Sequence, residues 1–213
     1  MEREAPELIR DENGLALASA GRIVRGDFAR MIPRLKPNNL NRELLVRAAR
    51  VKGVADPVAI DATAGLGEDA LLLAVAGFRV RLYERNPTIA ALLEDALERA
   101  ESIPELADAI GRMQLEKTDS EPALRQLGFQ PDVVLLDPMF PSRQKSAAVK
   151  KKLQLLQQLE EPCDDEAALL DAAFAAHPRK VVVKRPVKGP WLAERKPAHS
   201  LSGKAVRFDC YIP

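Results

Sequence analysis

The chain has 213 residues, of which 46% are hydrophobic and 30% charged, and its formal net charge is +1. That balance is typical of a globular protein with its own apolar core, and it excludes collagen-like, disordered and disulfide-rich classes. The longest apolar run, residues 70–76, is far below the roughly 18 residues that a membrane helix needs, and the acidic first residues do not resemble a secretory signal. The two cysteines have no metal-binding spacing. We therefore expect a cytoplasmic protein without membrane contact or bound metal.

Charged residues are segregated along the chain. Lysine and arginine are concentrated in residues 22–52, 142–152 and 179–207, whereas acidic residues gather in 94–121 and 160–171. If the basic segments share a face, that face suits a phosphate backbone. Solvated helix faces without a partner are an equal alternative. Charge alone makes nucleic acid a candidate partner and does not decide the question.

Residues 1–53 are predicted to form a small N-terminal appendage that could contact RNA. Residues 14–28 read as a hairpin around the Ala20-Gly21 turn. A helix is expected from about Asn39 to Lys52, with Gly53 as its stop.

From residue 54 to residue 213 the pattern changes to alternating strands and helices. Apolar strands are expected at 57–62, 79–84, 113–118, 132–137 and 180–184, with helices at 69–76, 88–101, 146–159 and 165–176. Residues 204–212 alternate like an edge strand paired antiparallel with residues near 197–201. Fully apolar strands in strand–helix order imply a sheet covered on both faces. The predicted fold class is therefore α/β, a doubly wound and mostly parallel Rossmann-like sheet.

Charged residues end most of the predicted strands. The first, second and fourth strands end in Asp61, Glu84 and Asp137, and the fifth ends in Lys184-Arg185. Ligands of such sheets bind beyond the carboxyl ends of the strands, and unpaired charges avoid a buried core. This edge is therefore the candidate site. Lys184 and Arg185 could hold a phosphate there or, equally, form a salt bridge with an edge carboxylate.

A glycine loop follows the first of these strands. Its residues, Gly65-Leu66-Gly67-Glu68-Asp69-Ala70, match the pattern G-x-G-x-x-A. Dinucleotide enzymes and S-adenosylmethionine (SAM) enzymes both use such glycines, because a ligand can then approach the backbone. A tight turn without a ligand is the alternative. Glu84, at the end of the next strand, could accept hydrogen bonds from both hydroxyls of an adenosine ribose.

The most specific segment is Asp137-Pro138-Met139-Phe140-Pro141. It resembles the D/N-P-P-Y/F/W signature of methyltransferases that modify exocyclic amino groups of bases. In that chemistry the carboxylate and a proline carbonyl accept the N–H bonds of the amine, and the aromatic ring stacks on a base turned out of its helix. A rigid turn with Phe140 buried is the alternative.

Several blocks together resemble the ribosomal RNA small subunit methyltransferase J family, over roughly residues 38–211. They are DATAGLG, LYERNP, LLDPMFP, SRQKSAAVKKK, VVVKRP and VRFDCY. The resemblance implies a SAM-dependent enzyme that methylates N2 of a guanosine at about position 1516 of 16S rRNA, with that RNA or the small ribosomal subunit as partner. It implies cofactor contacts at Glu68, Asp69, Glu84, Arg85, Asp119, Ser120 and Asp137, and the strand end and the glycine loop add Asp61, Gly65 and Gly67 as candidate cofactor residues. Candidate catalytic residues are Asp137, Pro138 and Phe140, and candidate RNA contacts are Arg143, Lys145, Lys150, Lys184 and Arg185.

Two positions depart from the pattern of that family. Glu68 stands where a basic residue is more usual, so it could contact the cofactor through its backbone. Asp119-Ser120 stands where two serines are usual, and this aspartate could take the adenine amino group.

Two other functions stay open on the sequence. The pattern G-x-G-x-x-A and Glu84 also suit an NAD(P)-dependent oxidoreductase, although the DPMFP block is then unexplained. A non-catalytic RNA-binding or ribosome-assembly protein could keep a methyltransferase fold. Trp191, the only tryptophan, follows Gly189-Pro190 in a basic loop, where packing is favoured over base stacking.

Overall fold

The computed structural model describes residues 6–138, 159 and 165–213. Several predictions lie outside the described residues. These are the helix at 146–159, apart from Leu159, and the candidate residues Phe140, Arg143, Lys145 and Lys150.

Ten strands form two sheets in the described part of the chain. They are β1 (Glu7–Asp11), β2 (Gly14–Ser19), β3 (Arg22–Val24), β4 (Val58–Asp61), β5 (Arg79–Tyr83), β6 (Met113–Glu116), β7 (Val133–Leu136), β8 (Lys180–Pro186), β9 (His199–Ser202) and β10 (Val206–Tyr211). The first three form an antiparallel sheet, and the others form one sheet in the order β6-β5-β4-β7-β8-β10-β9.

The large sheet is parallel from β6 to β8 and ends in two antiparallel strands. β10 pairs antiparallel with β8 and with β9, as the alternation in residues 204–212 predicts. All four residues of β7 are buried, because helices cover both faces of the sheet. The predicted doubly wound, mostly parallel α/β sheet is confirmed.

Eight α-helices lie in the same described ranges. They are α1 (Ile32–Leu35), α2 (Pro37–Leu40), α3 (Leu44–Ala49), α4 (Glu68–Val75), α5 (Pro87–Glu101), α6 (Pro104–Ile110), α7 (Ser120–Arg125) and α8 (Glu166–Ala175). The predicted helices after the glycine loop, after β5 and before β8 are confirmed. The sequence did not predict the short helices α6 and α7, because each contains only one or two turns with apolar residues at helical spacing. No helix within these ranges combines the length and the apolar character needed to cross a bilayer.

The single helix predicted from Asn39 to Lys52 is wrong. The chain forms α2 and α3 instead, separated by Glu43, whose backbone is extended. The Asn39 side chain donates a 2.8 Å hydrogen bond to the Pro33 carbonyl. At the break itself, the Glu43 carboxylate accepts hydrogen bonds of 2.9 and 3.0 Å from Arg34 of α1, and apolar spacing alone does not reveal such a contact.

The appendage packs into the same core as the large sheet. Phe28, Met31 and Leu45 belong to one hydrophobic cluster with Leu71 of α4 and Val80 of β5. The hairpin predicted around Ala20-Gly21 is confirmed as β2 and β3. β1 was not predicted, because its residues are largely exposed and show no apolar face. The proposed boundary between residues 53 and 54 stays a prediction, and packing is continuous across it.

Candidate functional site

The site lies where the strand order reverses in the large sheet. β5 and β6 lie on one side of β4, and β7 and β8 lie on the other. Asp61 ends β4, and Asp137 directly follows β7. Ligands of doubly wound sheets bind in the crevice at such a switch point. The two aspartates therefore flank the crevice that the topology predicts.

Thr63 joins the two loops that leave β4 and β7. Its hydroxyl oxygen accepts a 2.6 Å hydrogen bond from the backbone N–H of Asp137, and its own N–H donates to Asp61 Oδ1 at 3.2 Å. These bonds fix the backbone at Asp137. The sequence analysis missed this threonine, although its place between Asp61 and the glycine loop could have indicated it.

Lys184 connects three elements of the site. Its ammonium nitrogen lies 2.6 Å from Asp69 Oδ2 at the start of α4 and 2.8 Å from Asp137 Oδ2 after β7. Burial opposes the charge, but these two carboxylates raise the pKa of Lys184 above its usual value. Of the two roles predicted for Lys184, the structure contains the salt bridge to edge carboxylates. Among the described residues, no cluster of His, Cys, Asp and Glu has the arrangement of a metal site.

Burial raises the pKa of both aspartates at the switch point, but their charged neighbours differ. Asp61 is 2% exposed, and burial together with the charge of Asp69 raises its pKa to about 8. Asp61 is therefore mainly neutral at pH 7 and can donate a hydrogen bond as well as accept one. Burial also raises the pKa of Asp137, but the adjacent Lys184 opposes that rise. The lysine thus favours a charged carboxylate at Asp137 beside a neutral acid at Asp61.

The glycine loop leaves an open space above its backbone. Gly65 has a φ of +54°, and apart from its chain neighbours no heavy atom of the described residues lies within 4 Å of the position that a Cβ would take. Gly67 has a φ of +75°, and a Cβ there would lie 2.7 Å from the side chain of Leu93. Gly67 is therefore required by packing, whereas Gly65 leaves room for a ligand against the backbone.

Glu84 holds the glycine loop against the end of β5. Its carboxylate accepts hydrogen bonds from the backbone N–H groups of Gly65 at 2.9 Å and Asn86 at 2.8 Å. Burial raises the pKa of Glu84, and these two N–H groups oppose the rise. Each carboxylate oxygen has a further lone pair. Glu84 can therefore order the loop and still accept hydrogen bonds from the two hydroxyls of a ribose.

Asn86 is a second residue that the sequence analysis missed. Its side-chain oxygen accepts hydrogen bonds from the N–H groups of Thr88 and Ile89 and so caps α5, and its amide donates to the carbonyl of Leu159 at 2.7 Å. An Asn before a proline at the start of a helix is a recognisable capping signal.

The other predicted cofactor residues lie at the same edge of the sheet. Glu68 and Arg85 are exposed, at the start of α4 and after β5. Asp119 caps α7 by accepting a 3.1 Å hydrogen bond from the Glu121 N–H, and the next residue, Ser120, is buried. Both follow β6, which pairs with β5. The structure therefore brings these residues to the same side of the site as Glu84.

Arg185 lies in a different environment from its neighbour Lys184. It is 1% exposed, and its guanidinium donates to the carbonyl of Pro190 at 2.9 Å and to Glu166 at 3.2 Å. The structure does not bring this side chain to the surface, where a phosphate could reach it. Arg185 instead ties the loop after β8 to α8.

The described residues fit the cofactor that the resemblance implies. A flat ligand can lie against the backbone on the open side of Gly65. The Glu84 carboxylate can accept hydrogen bonds from a ribose. Asp61 and Asp137 place acidic groups at the adjacent strand ends. This donor set suits S-adenosylmethionine, which carries a ribose diol, an ammonium group and a sulfonium.

Comparisons with known proteins agree with this arrangement. A family model described as "Putative SAM-dependent methyltransferase" matches residues 4–213. The ribosomal RNA small subunit methyltransferase J of Thioalkalivibrio sulfidiphilus is 43% identical over 213 residues, 96% of this chain and 84% of that protein. The protein of the same name from Tolumonas auensis is 47% identical over 169 residues, 79% of this chain and 68% of that protein.

Solved structures show the same fold. The SAM-dependent methyltransferase NGO1261 from Neisseria gonorrhoeae superposes with a TM-score of 0.79 at 32% identity, covering 100% of this chain and 85% of that one. The rRNA methyltransferase AviRa from Streptomyces viridochromogenes superposes with a TM-score of 0.55 at 19% identity, covering 83% and 84%, and supports the fold alone. Because the family model spans nearly the whole chain and its relatives exceed 40% identity, the chain belongs to the SAM-dependent ribosomal RNA small subunit methyltransferase J family.

Proposed function

We propose that this chain transfers a methyl group from SAM to the exocyclic N2 of a guanosine in 16S rRNA, within the small subunit or its RNA. The observation that carries the proposal is the Asp137 carboxylate at the switch point, next to the open glycine loop and paired with Lys184 at 2.8 Å. The names of the relatives, which specify small-subunit rRNA, support the substrate. An rRNA substrate would place the reaction in the cytoplasm.

Asp137 is proposed to orient the attacking amine. When bound, SAM supplies an electrophilic methyl group on its sulfonium sulfur. The electrons of the broken carbon–sulfur bond stay with sulfur. The exocyclic amine is a weak nucleophile, because its lone pair is conjugated with the base. When Asp137 accepts a hydrogen bond from an N–H group of this amine, the lone pair is directed toward the methyl group. The carboxylate of Asp137 also stabilises the positive charge that grows on the nitrogen as the new bond forms. The proton can leave afterwards, so Asp137 need not act as a strong base.

The residues around Asp137 hold it ready for that role. Thr63 fixes its backbone N–H, Lys184 favours its charged form, and Pro138 restricts the turn that follows. This preorganisation places the carboxylate before the amine arrives, which is the feature that makes electrostatic stabilisation effective. Phe140, outside the described residues, is proposed to stack on the flipped base.

The appendage offers a surface for RNA beside the crevice. Arg34, Asn39 and Arg42 line an open depression together with Pro33 and Glu43. The carboxylate of Glu43 raises the pKa of Arg34, and the charges of Asp69 and Glu68 at the start of α4 contribute. Leu45 of α3 and Leu71 of α4 belong to one hydrophobic cluster, so the appendage that carries this surface packs on the α4 side of the site. We propose that it contacts the phosphate backbone of the substrate, with Arg143, Lys145 and Lys150 as further candidates.

The test is methyl transfer from isotopically labelled SAM to small-subunit rRNA that lacks this modification, followed by digestion to nucleosides. The proposal predicts label in N2-methylguanosine. Label in another nucleoside would contradict the proposed specificity. Tight RNA binding without any transfer would instead favour the non-catalytic alternative. The oxidoreductase alternative is set aside, because the family model and the relatives are methyltransferases.

A further inference from the structure

The loop after β8 carries an exposed tryptophan on a rigid support. Trp191 is 41% exposed, although the next residue, Leu192, is fully buried. The sequence favoured packing for Trp191, and the structure leaves much of its ring in solvent. An exposed tryptophan side chain does not contribute to folding the large hydrophobic free energy that its burial would give. The exposed part of its side chain is therefore available for contact with another molecule.

The backbone of this loop is held in place by a buried arginine. The Arg207 guanidinium donates to the carbonyls of Pro186 at 2.9 Å, Val187 at 2.8 Å, Gly189 at 2.9 Å and Pro190 at 3.2 Å. Charge-assisted bonds of this kind are stronger than neutral ones. Three of these contacts share Nη1, which carries two hydrogens, so at least one hydrogen is shared between two carbonyls. Together they hold the backbone that leads to Trp191.

Further contacts secure both ends of the loop. Asp209, which is fully buried, pairs with Arg207 at 2.9 Å. Glu166 of α8 accepts a 3.1 Å hydrogen bond from the N–H of Ala193. Ala193 and Glu194 have φ values of 50° and 56°, a region that non-glycine residues rarely adopt. Such a conformation persists only where surrounding contacts determine it. The loop is therefore ordered before any ligand binds.

The loop also lies at the edge of the sheet that carries the reaction. Val183 pairs with Leu136 in the parallel register, so Lys184 is level with Asp137, and β8 ends two residues later at Pro186. Basic residues surround the tryptophan in sequence, namely Lys188, Arg195 and Lys196, against Glu194. An exposed aromatic ring among basic residues is the arrangement with which proteins bind single-stranded nucleic acid.

We propose that Trp191 is a stacking platform for an unpaired base of the RNA substrate, close to the nucleotide that is methylated. The proposal rests on the proposed function and adds a specific contact to it. Because the backbone of the loop is already ordered, little of its entropy is lost when the flat ring of Trp191 meets a base. Stacking tolerates any base, so Trp191 contributes affinity and placement rather than recognition of one sequence.

The test uses the emission of Trp191, which is the only tryptophan in the chain. The full-length protein is titrated with a short single-stranded adenosine oligoribonucleotide and, in parallel, with an abasic oligonucleotide of the same length. We expect saturable quenching with the first and none with the second. Trp191→Ala should weaken binding of the first about 5- to 150-fold, the scale of one base–aromatic stack. Trp191→Phe should restore most of that loss.

Several results would overturn the proposal. The first is saturable binding of the oligoribonucleotide without a change in tryptophan emission. The second is an affinity of the Trp191→Ala protein for this oligoribonucleotide that equals that of the wild type. The third is quenching by ribosomal proteins and not by RNA. SAM affinity, measured by calorimetry, should be the same in all three proteins and serves as the control for folding. If the wild-type protein methylates rRNA but shows no quenching, only the stacking role fails. If it neither binds nor methylates RNA, the proposed function fails as well.

Discussion

The Lys184 ammonium lies 2.8 Å from Asp137 Oδ2, and the same nitrogen lies 2.6 Å from Asp69 Oδ2. One cation therefore ties the strand end that carries the proposed catalytic carboxylate to the helix that follows the glycine loop. Without it, two carboxylates would face each other at the switch point, near the buried Asp61. The salt bridge thus links the electrostatics of the reacting group to the geometry of the cofactor loop.

Replacing Lys184 should impair catalysis in a pH-dependent way. Lys184→Met removes the charge that opposes the rise in the pKa of Asp137, so a higher pH is needed to ionise that carboxylate. We expect the acid limb of the pH profile of kcat to move to higher pH, so the loss of activity should grow as the pH falls. Lys184→Arg should keep much of the wild-type profile.

The control for this variant is Lys117→Met, because Lys117 pairs with Glu94 on the surface. Methyl transfer measured across the acidic and neutral range checks the prediction. A Lys184→Met protein with an unshifted profile would show that Lys184 has no influence on the ionisation of Asp137.

Replacing Glu84 should weaken cofactor binding. Glu84→Gln keeps the size of the side chain but loses the charged acceptor for the ribose, and it disturbs the hydrogen bond to the Gly65 N–H. The expected loss in SAM affinity is about 1.5–3 kcal/mol, the scale of a charge-assisted hydrogen bond. Calorimetric titration with SAM measures it. Glu94→Gln, at an exposed position, is the matched control, and equal affinities in the two variants would reject the assignment.

Asp61 should make stability depend on pH. Burial raises its pKa from 3.8 to about 8, so folding favours the protonated acid. Its contribution to the free energy of unfolding is fully present below about pH 4 and is lost as the pH rises through about 8. Asp61→Asn stays neutral, so its free energy of unfolding should fall less than that of the wild type over this window. Urea unfolding at a series of pH values tests this, and parallel curves for the two proteins would contradict it.

The sequence predicted the sheet well because its parallel strands are short, apolar and bounded by glycine or charge. The four buried residues of β7 and the glycines at 65 and 67 are examples. It also predicted which carboxylates meet at the switch point, since the ends of parallel strands converge on one edge.

The remaining features depend on side-chain contacts between separate elements of the fold. The break between α2 and α3 lies at Glu43, whose backbone is extended and whose carboxylate pairs with Arg34 of α1. The burial of Arg185 depends on Glu166 and Pro190, whose proximity no local pattern announces. The sequence likewise did not decide whether Lys184 binds a phosphate or the edge carboxylates, because both partners suit an ammonium.

The most direct test of the account is single-turnover methyl transfer to small-subunit rRNA at saturating SAM, comparing the wild type with Asp137→Asn. The asparagine keeps the size of the side chain but lacks the charge that stabilises the amine as it becomes positive. We predict a rate lower by about 10²-fold or more, with RNA affinity nearly unchanged, because the interaction belongs to the transition state. A wild-type rate in the Asp137→Asn protein would contradict the proposed mechanism and leave the segment after β7 as a structural turn.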